Sequence, residues 1–226
     1  MSDGVKINDL YECKTEYLKQ LFASCTYPWE LLPLVGNLAS SLVNEGIEGF
    51  SELKPGVLVG KNVRISEGAT ILPPAVIGDD CEVRPGAFIR GNLITGKGCV
   101  LGNSSEFKNA ILLDGVQVPH YSYVGDSVLG NRAHLGAGAI CSNLKSDGKD
   151  VVIHAECDIK TGLRKVGAFL GDGADVGSQC VLNPGTVIGK NTSVYPLTSL
   201  RGVVKENSIV KGADNVVERK SALCDK

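Results

Sequence analysis

The sequence predicts a mainly β solenoid of short strands joined by tight turns, with one extruded loop and a helical segment in front. Three observations predict it. A six-residue repeat runs through residues 57 to 202; the 226 residues include 28 glycines but only 5% aromatics; and the segment before residue 50 shows neither habit. Turns are needed there more than bulk.

From Val57 the chain can be written in sixes: VLVGKN, VRISEG, ATILPP, AVIGDD, CEVRPG, AFIRGN, LITGKG, CVLGNS, SEFKNA. Large apolar residues hold eight of the nine third places (Val59, Ile65, Ile71, Ile77, Val83, Ile89, Leu101, Phe107), with Thr95 the exception. A period of six fits neither an α-helix nor simple strand alternation, and each unit buries its apolar face only by stacking on the next. The pattern resembles the left-handed parallel β-helix, in which three hexads make a triangular coil. Residues 18 apart then stack at about 4.8 Å, with Val63, Cys81 and Cys99 in one interior column and Ala69, Ala87 and Ser105 in another. The register holds through Leu113 and then slips, Tyr123, Leu129, Leu135 and Cys141 setting a new phase. Residues 143–165 break the repeat as an excursion, and it resumes at Leu170, Val176, Leu182, Ile188, Val194 and Leu200.

Residues 1–55 read as a helical segment. "PWELLPLVGNLASSLVNEG" puts Leu31, Leu32, Val35, Leu38, Leu42 and Val43 on one stripe, with Pro28 in a first turn, Pro33 as an irregularity and Gly46 as terminator. The coils span 56–211, and 212–226 form a polar tail expected to fray or pack as a short helix.

A net charge of −2 with interspersed signs gives no basic field for nucleic acid or an anionic membrane. No leader and no spanning apolar run is read, so a cytoplasmic location is expected, with the eight cysteines as reduced thiols. No C-x-x-C spacing suggests a metal.

Candidate functional residues stand out against the repeat. His120, in "VPHYSY", sits where the register slips, and a departure from a strong repeat is where local consistency has been given up, commonly at a site. Tyr123 follows it, and His134 precedes "LGAGA", a small-residue stretch that admits a close approach to the backbone. Arg84 and Lys108 hold the same outward place of their hexads, four hexads apart.

The ordered set "VRPGAFIRGN", "EFKNA", "VPHYSYVGDSVLG", "HLGAGAICSNLKSDGK", "LRKVGAFLGDGADVGS" and "LNPGTVIGK" resembles the acetyltransferase half of GlmU-type enzymes. It is closer still to the C-terminal half of archaeal bifunctional sugar-1-phosphate nucleotidylyltransferase/acetyltransferases. The resemblance implies a homotrimer that binds acetyl-CoA and an amino sugar phosphate between neighbouring prisms, without a metal. Position by position it makes His120 the general base, with Arg84 and Lys108 on the sugar phosphate. Tyr123, His134, Asn143 and Lys149 match further substrate positions, while Ala137 and Ser178 match positions receiving the CoA arm; Lys160, Arg164 and Lys165 could reach its phosphates. Trimerisation rests on the resemblance, since no surface in the hexads declares itself apolar.

The residue types suit that chemistry. An amine attacks a thioester only as the free base, and histidine titrates near neutrality; a phosphate is well held by an Arg fork and a Lys point charge. Three features depart from the relatives' pattern: nothing like their glycine-rich nucleotidyltransferase loop is seen, His134 stands where relatives carry asparagine, and Leu144 stands where bacterial relatives carry tyrosine. The alternative is a non-catalytic sugar-nucleotide or CoA-binding assembly module that partners a separate nucleotidyltransferase. A third reading, the zinc carbonic anhydrase of the same prism, needs three histidines with a close final pair, and His120, His134 and His154 are too widely spaced for it.

Overall fold

The computed structural model describes residues 4–219. Short parallel strands stack into a solenoid of triangular coils, an arrangement consistent with the expected left-handed β-helix. Its first face holds Val57–Val59, Ala75–Ile77, Leu93–Thr95, Ala168–Leu170, Thr186–Ile188 and Val203–Val204. The second runs from Arg64–Ile65 through Val100–Asn103, Gln117–His120 and His134–Leu135 to Ser208–Gly212, and the third from Thr70–Ile71 through Ile140–Cys141 to Ser199–Leu200. Two seven-residue strands, Glu106–Leu112 and Tyr123–Leu129, pass from the third face to the first without a turn.

The interior is the hexad core that the repeat implies. Third-place residues such as Ile77, Val83, Ile89 and Leu101 are fully buried, beside the small residues Cys81, Ala87, Cys99 and Ser105. The 18-residue columns hold: Arg64 pairs with Glu82 and Glu82 with Val100, so Val63, Cys81 and Cys99 stack. The seven described cysteines are free thiols, and burial pushes the Cys141 thiol up to about 12.

The register differs from expectation in one respect that shapes the site. Glu106 lies 18 residues above Phe88, but Ala110 lies only 17 above Leu93, so a residue is dropped at Lys108–Asn109. Ser127 again lies 17 above Ala110, so a second is dropped at Gly125–Asp126. Leu112, not Leu113, therefore takes the interior place, and Val124, not Tyr123, continues the column. Leu113 packs outside, against the helical segment. Both tightened corners turn through residues with positive φ, Asn109 (50°) and Asp126 (48°), types that tolerate the left-handed region. The 143–165 excursion leaves from the same edge one coil higher.

Residues 4–55 form α1 (Ile7–Leu10), α2 (Glu16–Ser24), a 3₁₀ turn at Pro28–Leu31 and α3 (Val35–Glu45). Pro28 opens the turn, the helix breaks around Pro33, and Gly46 ends α3 at φ 77°. The segment packs on the outer side of the first face, whose second hexad places are Leu58, Val76, Ile94, Ile111, Val128, Phe169 and Val187. An apolar outer column thus exists in the hexads, and this chain covers it itself. The excursion packs there too, through buried Val151, Ile153 and Val166, with a hairpin of Val152–His154 and Asp158–Lys160.

The expected frayed or helical tail is instead a strand: Asn215–Glu218 pairs antiparallel with Ser208–Gly212, burying little but satisfying the last coil's open edge. The remainder of the tail, 220–226, lies outside the described residues.

Candidate active site

The first face is occupied, so the candidate residues lie along the two edges that bound the third face. On the edge entering it, stacked backbones put Asn103, His120, Ala137 and Ser178 in one column. Asn103 pairs with His120, the Gly138 amide donates to the His120 carbonyl (3.1 Å), and the Gln179 amide donates to the Ala137 carbonyl (2.8 Å). His120 is exposed, with its ring 6.5 Å from that of Tyr121. Above it the side chains shrink to Ala137 and Ser178, which leaves the edge open along two coils.

The glycines beside this column have an internal reason. A Cβ on Gly136 would stand 2.5 Å from the Ser178 amide nitrogen, and one on Gly177 would stand 2.5 Å from that of Pro196. In "HLGAGA", Gly136 is required because the next coil lies directly on it and Gly138 because it turns at φ 73°; the opening beside the backbone comes from Ala137 and Ser178.

Arg84 lies on the same edge, two coils below Pro119, on the order of 10 Å away. Its Nε donates to Glu82 Oε1 (3.0 Å), and that bond, together with the charges of Arg84 and Arg64, holds the Glu82 carboxyl below its usual range. His134 stands on the second face, where its Nδ1 meets Asp175 Oδ1 at 2.7 Å, and the structure does not bring it against His120.

The second cluster is on the edge leaving the third face, one face-width from His120, on the order of 15 Å. Here the tightened corners place Lys108, Asn109 and Tyr123 beside Asn143 at the root of the excursion. They gather on Asp126, which is 4% exposed. Its Oδ2 lies 3.5 Å from Lys108 Nζ and accepts from Asn143 Nδ2 (2.5 Å), and its Oδ1 accepts from Asn109 Nδ2 (2.9 Å). Asn143 Nδ2 also lies 3.1 Å from Tyr123 Oη, whose hydroxyl burial pushes up. Arg90 joins from the corner below, bonded to Glu106 (2.6 Å). Lys108 and Asn109 also line a hollow of about 470 Å³ against Leu32, Gly36 and Asn37 of the helical segment. Lys149 and Lys165 stand exposed on the excursion, outside both clusters.

Sequence reading missed Asp126, Arg90, Glu106 and the carboxylate partners Glu82 and Asp175. Asp126 follows a glycine and reads as a turn; only its place at a tightened corner buries it. Among the described residues no group of three or more His, Cys, Asp or Glu is placed to hold a metal, and the three histidines lie apart, two of them paired with Asp175 and Asp158. No described helix is long and apolar enough to cross a membrane.

Several known proteins are similar to this chain. Residues 71–163 match the family described as the GMPPB C-terminal domain. The chain is 32% identical over 197 residues to the bifunctional protein GlmU of Methanococcus maripaludis (strain C5), covering 84% of this chain and 47% of that protein. It is 32% identical over 174 residues to the bifunctional sugar-1-phosphate nucleotidylyltransferase/acetyltransferase of Sulfurisphaera tokodaii, covering 75% and 43%. Among solved structures, the UDP-N-acetylglucosamine acyltransferase of Campylobacter jejuni aligns with a TM-score of 0.46 at 15% identity, over 73% of this chain and 71% of that one. The class the fold defines is therefore that of the hexapeptide-repeat β-solenoids. Within it the chain is a relative of the C-terminal part of the GlmU-type proteins, and it spans about half the length of the curated relatives it matches.

Proposed function

We propose that the chain is an acetyl-CoA-dependent N-acetyltransferase acting on an amino sugar phosphate of the glucosamine-1-phosphate or galactosamine-1-phosphate class. The observation that carries this reading is the single column in which His120 stands directly below Ala137 and Ser178. An imidazole on an open edge, next to small side chains, suits a general base meeting an extended thioester arm.

Acetyl-CoA supplies an activated acyl group, so no nucleophilic cysteine is required, and the exposed Cys157 lies on the excursion hairpin, away from His120. His120 takes the proton from the acceptor amine as its nitrogen attacks the thioester carbonyl. The amide C–N bond forms, the C–S bond breaks, and the proton ends on the leaving sulfur. Ala137 and Ser178 flank the arm, and backbone amides near that edge are the candidate donors to the developing oxyanion. Lys108, Tyr123 and Asn143 receive the acceptor and its phosphate, with Arg84 as a second cation.

Those two groups sit on opposite edges of one face, and no single copy closes them around one substrate. A homotrimer in which the His120 edge of one copy meets the Lys108 edge of the next completes the site, and the covered first face leaves the other two free for such contacts. Thiol release from acetyl-CoA across a panel of amino sugars and their phosphates tests the reading, with light scattering for the trimer. No release with any acceptor refutes it.

A further inference from the structure

We propose that Asp126 is the positioning residue of the acceptor site: it sets Lys108 and Asn143 for the acceptor's anionic group without touching the substrate. The inference rests on the reading above. The Asp126 side chain is 6% exposed, so it is placed to order its neighbours rather than to meet a ligand. It ties together three points of the chain, namely the lower tightened corner through Lys108 (3.5 Å) and Asn109 (2.9 Å), its own corner, and the root of the excursion through Asn143 (2.5 Å).

Its backbone does the same for the excursion's return, since the Gly167 amide donates to the Asp126 carbonyl (2.7 Å). Both ends of the excursion are therefore held at one residue. Gly125 is what leaves room for this arrangement: a Cβ there would stand 2.7 Å from Asn143 Nδ2 and press on the Tyr123 hydroxyl.

A lysine ammonium has three donors, and the 3.5 Å contact to Asp126 engages one of them while fixing the direction of the others. Lys108 is 27% exposed at its side chain, so its free donors reach the solvent side of the cluster, where an anion can arrive. Without the carboxylate, Lys108 and Asn143 regain rotamer freedom, and an acceptor must order them on binding.

The test is steady-state kinetics on the full chain with Asp126→Asn. The amide cannot hold Lys108 by charge, and the acceptor KM is expected to rise about tenfold, the loss of one charge-assisted contact, with kcat within about threefold and the KM for acetyl-CoA unchanged. In a Lys108→Ala background the same substitution should raise the acceptor KM less than twofold, because the amide oxygen still accepts from Asn143 and the substitution acts through Lys108. Asn109→Gly, which removes the amide that holds the carboxylate while keeping the left-handed corner, should raise it two- to threefold and decides the matter where Asp126→Asn does not fold. An unchanged acceptor KM, or a full multiplicative effect on top of Lys108→Ala, overturns the inference while the proposed function stands. A wild type with no acetyl transfer to any acceptor overturns both.

Discussion

Replacing Ile94 by alanine tests the claim that the helical segment is clamped onto the first face. Ile94 points outward from a three-residue strand, yet it is fully buried because α3 and its neighbours cover it. An outward hexad place on an uncovered solenoid would be solvated, and its truncation would cost little. Here the loss includes the transfer of the removed carbons, which is part of the 1.5–3 kcal/mol or so for burying a whole isoleucine, plus a cavity term, since a residue held between two layers collapses poorly. Together these come to about 3 kcal/mol. For a chain of this size each kcal/mol moves Tm by roughly 2–4 °C, so a fall of about 10 °C is expected. The internal control is Arg64→Ala, at the same hexad place on the uncovered second face. Its side chain is 71% exposed and its contact to Glu82 is 3.4 Å, so a shift within about 2 °C is expected. Thermal unfolding by circular dichroism, at one fixed protein concentration for all variants, reads both. Equal shifts for the two variants, or a fall below about 3 °C for Ile94→Ala, would refute the covered-face account.

Two further predictions follow from the titrating groups. Because the Arg84 hydrogen bond holds Glu82 below its ordinary value of 4.5, its stabilisation is fully present above about pH 4.5 and fades as pH falls through the folded value; the Tm difference between wild type and Glu82→Gln should shrink from pH 6 to pH 3, and a constant difference contradicts this. Thiol labelling at pH 8 followed by peptide mapping should modify the exposed Cys157 in the native protein and spare Cys141, whose thiol burial pushes up to about 12, until the chain is unfolded. Early labelling of Cys141 would show that the coil interior opens.

Much of this architecture was legible because a hexad repeat encodes its own register: the interior columns, the excursion and the stripe on residues 31–43 all follow from spacing. The tightened corners were not, for a specific reason. Leu112 and Leu113 are both apolar, as are Tyr123 and Val124, so either neighbour could hold the interior place, and only strand pairing decides. The covered face was present in the sequence as Leu58, Val76 and Ile94 at 18-residue spacing, but an apolar residue between two apolar neighbours reads as more core. As candidates, His120 was legible through the register slip and Lys108, Tyr123 and Asn143 through resemblance, whereas Asp126 was not: its burial arises at a corner that exists only once a residue has been dropped from each of two successive corners.

The most direct test of the account is acetyl transfer by the wild type against His120→Ala, followed as thiol release from acetyl-CoA with amino sugar 1-phosphates as acceptors. The account predicts one thiol released per amine acetylated, and a rate 10²- to 10⁴-fold lower in the variant, the usual contribution of a general base, with its fold and melting temperature retained. A variant that matches the wild-type rate would contradict the assignment of His120.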